Sequence, residues 1–356
     1  MVKPYTIRTG TKACDNCRCA AQTVPMTNDS PFTDSPPDLP EMLVLRFDGS
    51  GGMQRLDQPA ERTPASGFDW VHLRRDAPAT HGRLLALGID EVVIHALTAQ
   101  ETRPRCTVHG NGVVLVLRGV NLNPGADPED MISVRLWLEE HRVVGVWMRP
   151  LYAVGDLIAA GERGQGALTP GDFVTKLALR LADRAEPAVA ALNEVVDDLE
   201  TELDTGEGVH MRRRLSDTRR QAIMLRRYLV PQRDALTTLE IEDLPWLAHT
   251  ERMRLREAAE RVSRLGEELD AIRDRAQVVQ DQIMDRRSEV MNRQMLLLSV
   301  VAAIFLPLGL LSGMLGMNVG GVPGADLPAA FWIVTALMAA IGVGLWGVFR
   351  WMGFRG

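Results

Sequence analysis

Two long uncharged stretches near the C-terminus constrain this chain more than any other feature of its sequence. No Asp, Glu, Lys, Arg or His occurs in residues 294–325, and after Asp326 the segment 327–349 is again uncharged. A helix that crosses a bilayer needs about 20 mostly apolar residues. Both stretches are too long and too free of charge for a buried hairpin of a soluble protein. We predict two transmembrane spans, about 294–316 and 328–349, in a membrane domain of residues 293–356.

Positive charges flank these stretches on their outer sides. Arg286, Arg287 and Arg293 precede the first stretch, Arg350 and Arg355 follow the second, and the loop between the stretches has neither Lys nor Arg. The positive-inside rule then places both termini in the cytoplasm. The cysteines are expected in a reducing compartment, where structural disulfides are rare.

Residues 1–40 are expected to form a disordered leader, because they are rich in Pro, Ser, Thr and Asp and lack the apolar core of a signal peptide. Cys14, Cys17 and Cys19 lie in this leader at a spacing that suits zinc, although no histidine lies nearby. A metal site and an unstructured cysteine cluster are both compatible with that pattern. We expect deletion of residues 1–38 to leave the activity of the chain nearly unchanged.

A cytoplasmic α/β domain is predicted for residues 41–165. Apolar runs and alternating patterns indicate strands at 41–48, 67–73, 112–117, 132–138 and 142–148. These strands favour a mixed or antiparallel sheet. With the helices that follow, the cytoplasmic part is predicted to have an α+β fold.

A cytoplasmic helical region is predicted for residues 166–292. Its first helix begins with Thr169 as the N-cap and Pro170 as the entry residue, and its second covers about 209–239. The third, which we call the stalk helix, begins after Pro245 and continues without a break into the first span. At about 1.5 Å per residue it is a rod on the order of 100 Å long, so we expect it to pack against partners.

Two stripes of residues follow the stalk helix. The apolar stripe has heptad spacing and consists of Leu255, Ala258, Val262, Leu265, Leu269, Ile272, Ala276, Val279 and Ile283. The acidic stripe lies on the opposite side and consists of Glu267, Asp270, Asp274, Gln277, Asp281, Asp285, Ser288, Asn292 and Met295. For an isolated helix, the simplest explanation of the acidic stripe is a solvated face. If several such helices surround one axis, its carboxylates become a funnel that concentrates cations.

Extended into the first span, the acidic stripe gives way to apolar and small residues. These are the predicted pore-lining residues Met295, Leu298, Ala302, Leu306, Gly309 and Gly313. The two glycines form a G-x-x-x-G pair, which allows helices to approach closely, so plain helix packing is the alternative explanation. Pro307 is expected to kink this span, because it cannot donate to the helix ladder.

The span ends at Gly316-Met317-Asn318, and Val-Gly-Gly-Val-Pro-Gly follows. A Gly-Met-Asn tripeptide that closes the first of two C-terminal spans resembles the CorA superfamily of divalent-cation transporters. The glycine-containing sequence after it resembles the ZntB-type zinc-transport branch of that superfamily, as do segments 99–105 and 118–130. The likeness covers residues 41–356.

The resemblance implies a CorA-like, funnel-shaped homopentamer in the bacterial inner membrane. The first span would line a central pore, with Gly316, Met317 and Asn318 at its outer mouth. The uncharged amide of Asn318 can hydrogen-bond the water shell of a hydrated cation, or it can simply cap the helix. Asp281, and Asn318 through the hydrated ion, are the expected metal-contacting residues. The transported ion is expected to be Zn²⁺, with Mg²⁺ and Co²⁺ as alternatives.

Loop charge is the point at which this chain departs from CorA magnesium channels, which usually carry acidic residues soon after the tripeptide. Here the loop offers only Asp326. This favours zinc, but loop charge alone does not fix the metal. A membrane-anchored cytoplasmic binding module is the alternative from another functional class. Neither a nucleophile–base constellation nor a Walker A sequence is identifiable, so we expect no enzyme, no ATP-driven pump, no cofactor and no nucleic-acid partner.

Overall fold

The computed structural model describes residues 32–59, 66–100, 103–203, 208–317 and 327–351. They belong to two compact units. The first unit comprises the chain up to Arg184 together with Asp234–Ala259, and the second comprises Ala185–Arg233 together with the chain from Glu260.

A seven-stranded mixed sheet organises the first unit. Its strands are β1 (Met42–Phe47), β2 (Met53–Leu56), β3 (Phe68–Arg74), β4 (Arg105–His109), β5 (Gly112–Gly119), β6 (Ile132–Glu139) and β7 (Arg142–Trp147). Their order in the sheet is β2-β1-β3-β7-β6-β5-β4, with β3 and β7 parallel and the other neighbours antiparallel. The five strands predicted from apolar patterns are all present, and the short edge strands β2 and β4 were not predicted.

Helices cover both faces of this sheet. On one face, α1 (Thr80–Ala86) and α2 (Glu91–Thr98) bury Leu84, Ile94 and Leu97 against valines of the central strands. After the sheet come α3 (Tyr152–Glu162) and α4 (Pro170–Glu202). On the opposite face, Phe173 of α4 packs against Trp70 at a ring-centroid distance of 4.7 Å.

Three further helices complete the chain: α5 (Gly208–Ile241), α6 (His249–Leu315) and α7 (Ala330–Trp351). Pro231 and Pro307 lie inside the continuous helices α5 and α6. The sequence predicted that the long helix α6 packs against partners, but its apolar stripe is covered by the chain itself. Every member of that stripe, from Leu255 to Ile283, is buried within the single chain.

Residues 32–40 also differ from the predicted leader, because the segment 32–37 is held against α3 and α4. The backbone N–H of Thr33 donates to Asp156 Oδ1 at 2.7 Å, and Arg184 Nη2 donates to the Thr33 carbonyl at 2.9 Å. The Asp156 carboxylate is fully buried and also pairs with Arg184 at 2.6 Å. Phe32 covers the Arg184 guanidinium, with its ring centroid 4.8 Å away. A buried ion pair therefore fixes this short arm to the first unit.

Two truncations distinguish the contribution of the arm to stability from that of the residues before it. We expect deletion of residues 1–37 to lower stability by about 2 kcal/mol, because the buried Asp156 loses two hydrogen bonds. Deletion of residues 1–31 keeps the arm and should leave the midpoint of thermal unfolding unchanged. Circular dichroism of both detergent-solubilised proteins measures the difference, and equal midpoints would show that the arm contributes nothing.

A histidine of β3 packs among aromatic side chains on one face of the sheet. His72 is fully buried, with its ring centroid 5.0 Å from that of Trp70 and 6.1 Å from that of Trp147. Gly145 lies opposite on β7, and a Cβ at that position would lie only 2.3 Å from His72 Nδ1. Burial lowers the pKa of His72 to about 3. The imidazole is therefore neutral in the folded chain.

This histidine makes the first unit sensitive to acid. An unfolded histidine titrates near pH 6.5, so the unfolded chain takes up a proton below that pH while the folded chain does not until about pH 3. The stability contributed by neutral His72 is complete above pH 6.5 and falls as pH drops towards 3. We expect His72→Leu to show a smaller fall in unfolding temperature between pH 7 and pH 5 than the parent chain. The exposed His141 provides the control variant His141→Gln, and equal acid sensitivity in both variants would contradict this account.

Candidate cation path along the sixth helix

Within the second unit, arginines of α6 contact α4 and the residue that follows it. Arg275 donates to Asn193 at 2.8 Å and lies 2.5 Å from Asp197 and 2.6 Å from Glu200. The two carboxylates raise the pKa of the Arg275 guanidinium, with hydrogen bonding to Glu200 the largest cause. Closer to the membrane span, Arg286 of α6 donates to the carbonyl of Leu203 at the end of α4.

Arginines of α5 contact the opposite flank of α6. Arg226 Nε lies 2.6 Å from Asp270 Oδ1, and both atoms are shielded from solvent. They are not aligned as a hydrogen bond, so the contact is an ion pair. Two turns before it on α5, Arg219 donates to Gln277, which in turn donates to Asp281 at 2.8 Å. The structure thus places Asp270 and Gln277 of the acidic stripe against α5. The sequence had indicated a solvent-exposed face for both residues.

The acidic stripe is therefore divided into two groups. Asp270 is half-buried and also lies 3.3 Å from Arg273, which pairs with Asp274 at 2.8 Å. Glu267, Asp281 and Asp285 are exposed. Sequence periodicity found the stripe but missed its arginine partners. The only available signal was the arginine content of α5, which carries no information about which carboxylate each arginine meets.

Beyond Ile283 the side chains of α6 are no longer buried by the described chain. No residue from 284 to 317 is buried, and α7 has no buried residue either. The predicted pore-lining side chains are open, with Leu298 71% exposed and Leu306 73% exposed. A Cβ added at Gly309 or Gly313 would meet nothing within 4 Å. Both α6 and α7 contain windows long and apolar enough to span a membrane. This half of α6 needs lipid or other chains to cover it.

The structure describes only some of the remaining predicted site residues. Gly316 and Met317 follow the end of α6, and Met317 is exposed. Asn318, Asp326 and the three leader cysteines lie outside the described residues. Within the described part of the chain, no group of three or more His, Cys, Asp or Glu residues is arranged to hold a metal ion.

A family model described as CorA-like Mg²⁺ transporter protein matches residues 65–350. The chain belongs to this CorA-like family. It is 38% identical over 284 residues to the divalent cation transporter CmaX of Pseudomonas aeruginosa, covering 79% of this chain and 86% of that protein. It is 33% identical over 310 residues to the zinc transport protein ZntB of Pectobacterium atrosepticum, covering 87% and 93%.

Solved structures agree with this CorA-like assignment. The structure of full-length CmaX superposes with a TM-score of 0.76 at 36% identity, covering 88% of this chain and 97% of that one. The CorA magnesium transporter of Methanocaldococcus jannaschii superposes with a TM-score of 0.77, covering 89% and 99%, and at 17% identity it supports the fold alone.

The division of the acidic stripe predicts different roles for its members in this CorA-like chain. Asp270→Asn leaves the buried Nε atom of Arg226 without its charge partner, so it should lower the unfolding temperature by about 2 °C or less. The loss is about 1 kcal/mol or less, because both side chains are about one-third to two-fifths exposed to water. Asp285→Asn, at an exposed position, should leave the unfolding temperature unchanged. Differential scanning fluorimetry of both variants tests this, and identical midpoints would show that the Arg226 ion pair is not structural.

Proposed function

We propose that five copies of this chain form a transporter that carries divalent cations, zinc in particular, across the bacterial inner membrane through a pore lined by α6. The observation that carries the proposal is the change along this one helix. Up to Ile283 the chain itself covers the helix, and exposed carboxylates lie along it, whereas from Gln294 onward the helix is uncharged and uncovered. Relatives named for zinc and for divalent-cation transport support the cargo.

The proposed path begins on the cytoplasmic part of α6. Glu267, Asp281 and Asp285 attract cations, with Asp270 and Asp274 contributing less because arginines pair with them. The path continues along the span past the predicted lining residues Met295, Leu298, Ala302, Leu306, Gly309 and Gly313. It ends at Gly316, Met317 and Asn318, where a ring of uncharged amides holds the hydrated ion through its water shell.

The same proposal assigns the parts of the chain. Residues 41–165 and 166–292 are cytoplasmic, residues 293–356 form the membrane domain, and both termini are cytoplasmic. Two C-terminal spans used only as an anchor would not require exposed carboxylates that continue into an uncharged, glycine-containing helix. A magnesium or cobalt transporter of the same architecture is the second candidate, because the matching family model is described by Mg²⁺. The single carboxylate in the loop after Asn318 favours zinc.

Reconstituted protein tests both cargo and assembly. Purified chain in liposomes should take up Zn²⁺ faster than Mg²⁺ or Co²⁺, and native mass spectrometry of the detergent-solubilised protein should give a pentamer. Asn318→Ala should reduce zinc uptake at least tenfold while the pentamer persists, because the amide ring at the pore mouth is lost. Met253→Ala, at an exposed position on the cytoplasmic part of α6, is the control.

Each part of the proposal can fail separately. A monomeric mass would contradict the shared pore. If the assembled Asn318→Ala variant takes up zinc at the wild-type rate, Asn318 serves only as a helix cap. Faster uptake of Mg²⁺ than Zn²⁺ would favour the second candidate.

A further inference from the structure

Helices α4, α5 and α6 each contain one residue that weakens a helix in the part that the chain itself covers. Beyond the first turn of each helix, and up to Ile283 in α6, their only prolines and glycines are Pro187, Pro231 and Gly266. A proline inside a helix cannot donate to the carbonyl one turn earlier, and its ring clashes with that carbonyl. A glycine leaves the backbone more conformational freedom than any other residue. The proposed cation path uses none of these three residues.

Contacts between α5 and α6 place Pro231 beside Gly266. The ion pair and the hydrogen bond that join these helices show that they are antiparallel, because the earlier arginine of α5 contacts the later residue of α6. A Cβ built on Gly266 would lie 3.9 Å from Val230 Cγ2. Val230 immediately precedes Pro231, so the weak positions of the two helices are neighbours.

Pro187 of α4 lies at the same level. Arg275 of α6 lies 2.5 Å from Asp197 of α4, and a later residue of α6 contacts the residue that follows α4, so these two helices run in the same direction. Counting back equally from both partners, 197 to 187 and 275 to 265, leads to Pro187 and to Leu265, the neighbour of Gly266. Both helices rise by about 1.5 Å per residue, so the three weak positions lie at one level. We call it the Pro-Gly level.

Ion pairs join α5 and α6 on both sides of the Pro-Gly level. On one side Arg256 of α6 lies 2.6 Å from Glu240 of α5, and on the other side Arg226 of α5 lies 2.6 Å from Asp270 of α6. The first pair belongs to the first unit and the second pair to the second unit. In all three helices the division between the units falls close to this level, after Arg184 in α4, Arg233 in α5 and Ala259 in α6. The helices are therefore held by different contacts before and after this level.

A cavity of about 80 Å³ lies between α5 and α6 at this level, lined in part by Val230, Val262 and Gly266. Protein interiors are close-packed, so packed helices change their angle only where displaced side chains find room. The open volume beside the glycine provides that room.

We propose that the Pro-Gly level is a hinge at which α4, α5 and α6 bend together. Sharp helix bends occur at prolines and glycines, and hinge motions are absorbed by a few such positions. A bend of one helix alone pulls apart the ion pairs that join it to its neighbours, so the three helices bend as a group. The part of α6 that carries Asp281 and Asp285 then changes direction relative to the first turns of the same helix. This proposal is independent of the transported cation.

Hydrogen–deuterium exchange of the full-length, detergent-solubilised protein tests the hinge. Segments 183–191, 227–235 and 262–270 surround the three weak positions. They should exchange about tenfold faster than segment 272–283 of α6, because bending opens their backbone hydrogen bonds. Gly266→Ala should slow exchange about fivefold in all three segments, since alanine stiffens α6 and the helices bend together. The added Cβ makes an ordinary contact at 3.9 Å, so this variant keeps the fold.

Gly82→Ala in α1 is the matched control, because it also adds a methyl group to a helix at a position where a Cβ meets nothing of the described chain within 4 Å. It should leave exchange in the three segments unchanged. Pro231→Ala is the second variant, and it should slow exchange in segment 262–270 although it changes no residue of α6.

Three results would overturn the proposal. These are exchange in the three segments that is no faster than in segment 272–283, slowing by Gly266→Ala and Pro231→Ala that stays confined to the substituted helix, or equal slowing by Gly82→Ala.

Discussion

The first half of α6 is stable in water because the rest of the chain covers its apolar stripe. Burying a Leu, Val or Ile side chain contributes about 1.5–3 kcal/mol, and all members of the stripe are buried. Arg275 on one flank and Arg226 on the other then fix where α4 and α5 lie along the helix. This cover ends at Ile283. Beyond this point the apolar side chains of α6 have no cover from the described chain and need lipid or other chains to bury them.

Much of this architecture could be predicted from the sequence, because it depends on hydrophobic patterns. The two uncharged stretches, the heptad stripe and the apolar strands β5 to β7 are long and regular. The edge strands β2 and β4 were missed because residues such as Gln54, Arg55 and Thr107 give them no apolar run. The docking of residues 32–37 was missed for another reason. Its anchors Asp156 and Arg184 are more than a hundred residues away in sequence.

At the candidate site, too, the sequence did not predict contacts between residues that are far apart in the chain. Periodicity states which residues share a face of α6, but it does not state what covers that face. The long helix was expected to pack against partners, although the chain itself buries its heptad stripe. The acidic stripe was treated as uniform although Arg226 pairs with Asp270. Both errors concern contacts between helices, which depend on the rotation of each helix and on residues far apart in the chain.

The arginines that divide the acidic stripe also shape its electrostatic potential. In the proposed assembly, equivalent carboxylates of several subunits approach one axis, and like charges brought together oppose assembly. Pairing Asp270 and Asp274 with arginines lowers that cost in the middle of the stripe, whereas Glu267, about one turn further from the span, is exposed. Asp281 and Asp285, about two to four turns further along α6, are exposed. Between these exposed carboxylates and the uncharged span lie Arg286, Arg287 and Arg293, so charges of both signs set the potential that a cation meets before it enters the span.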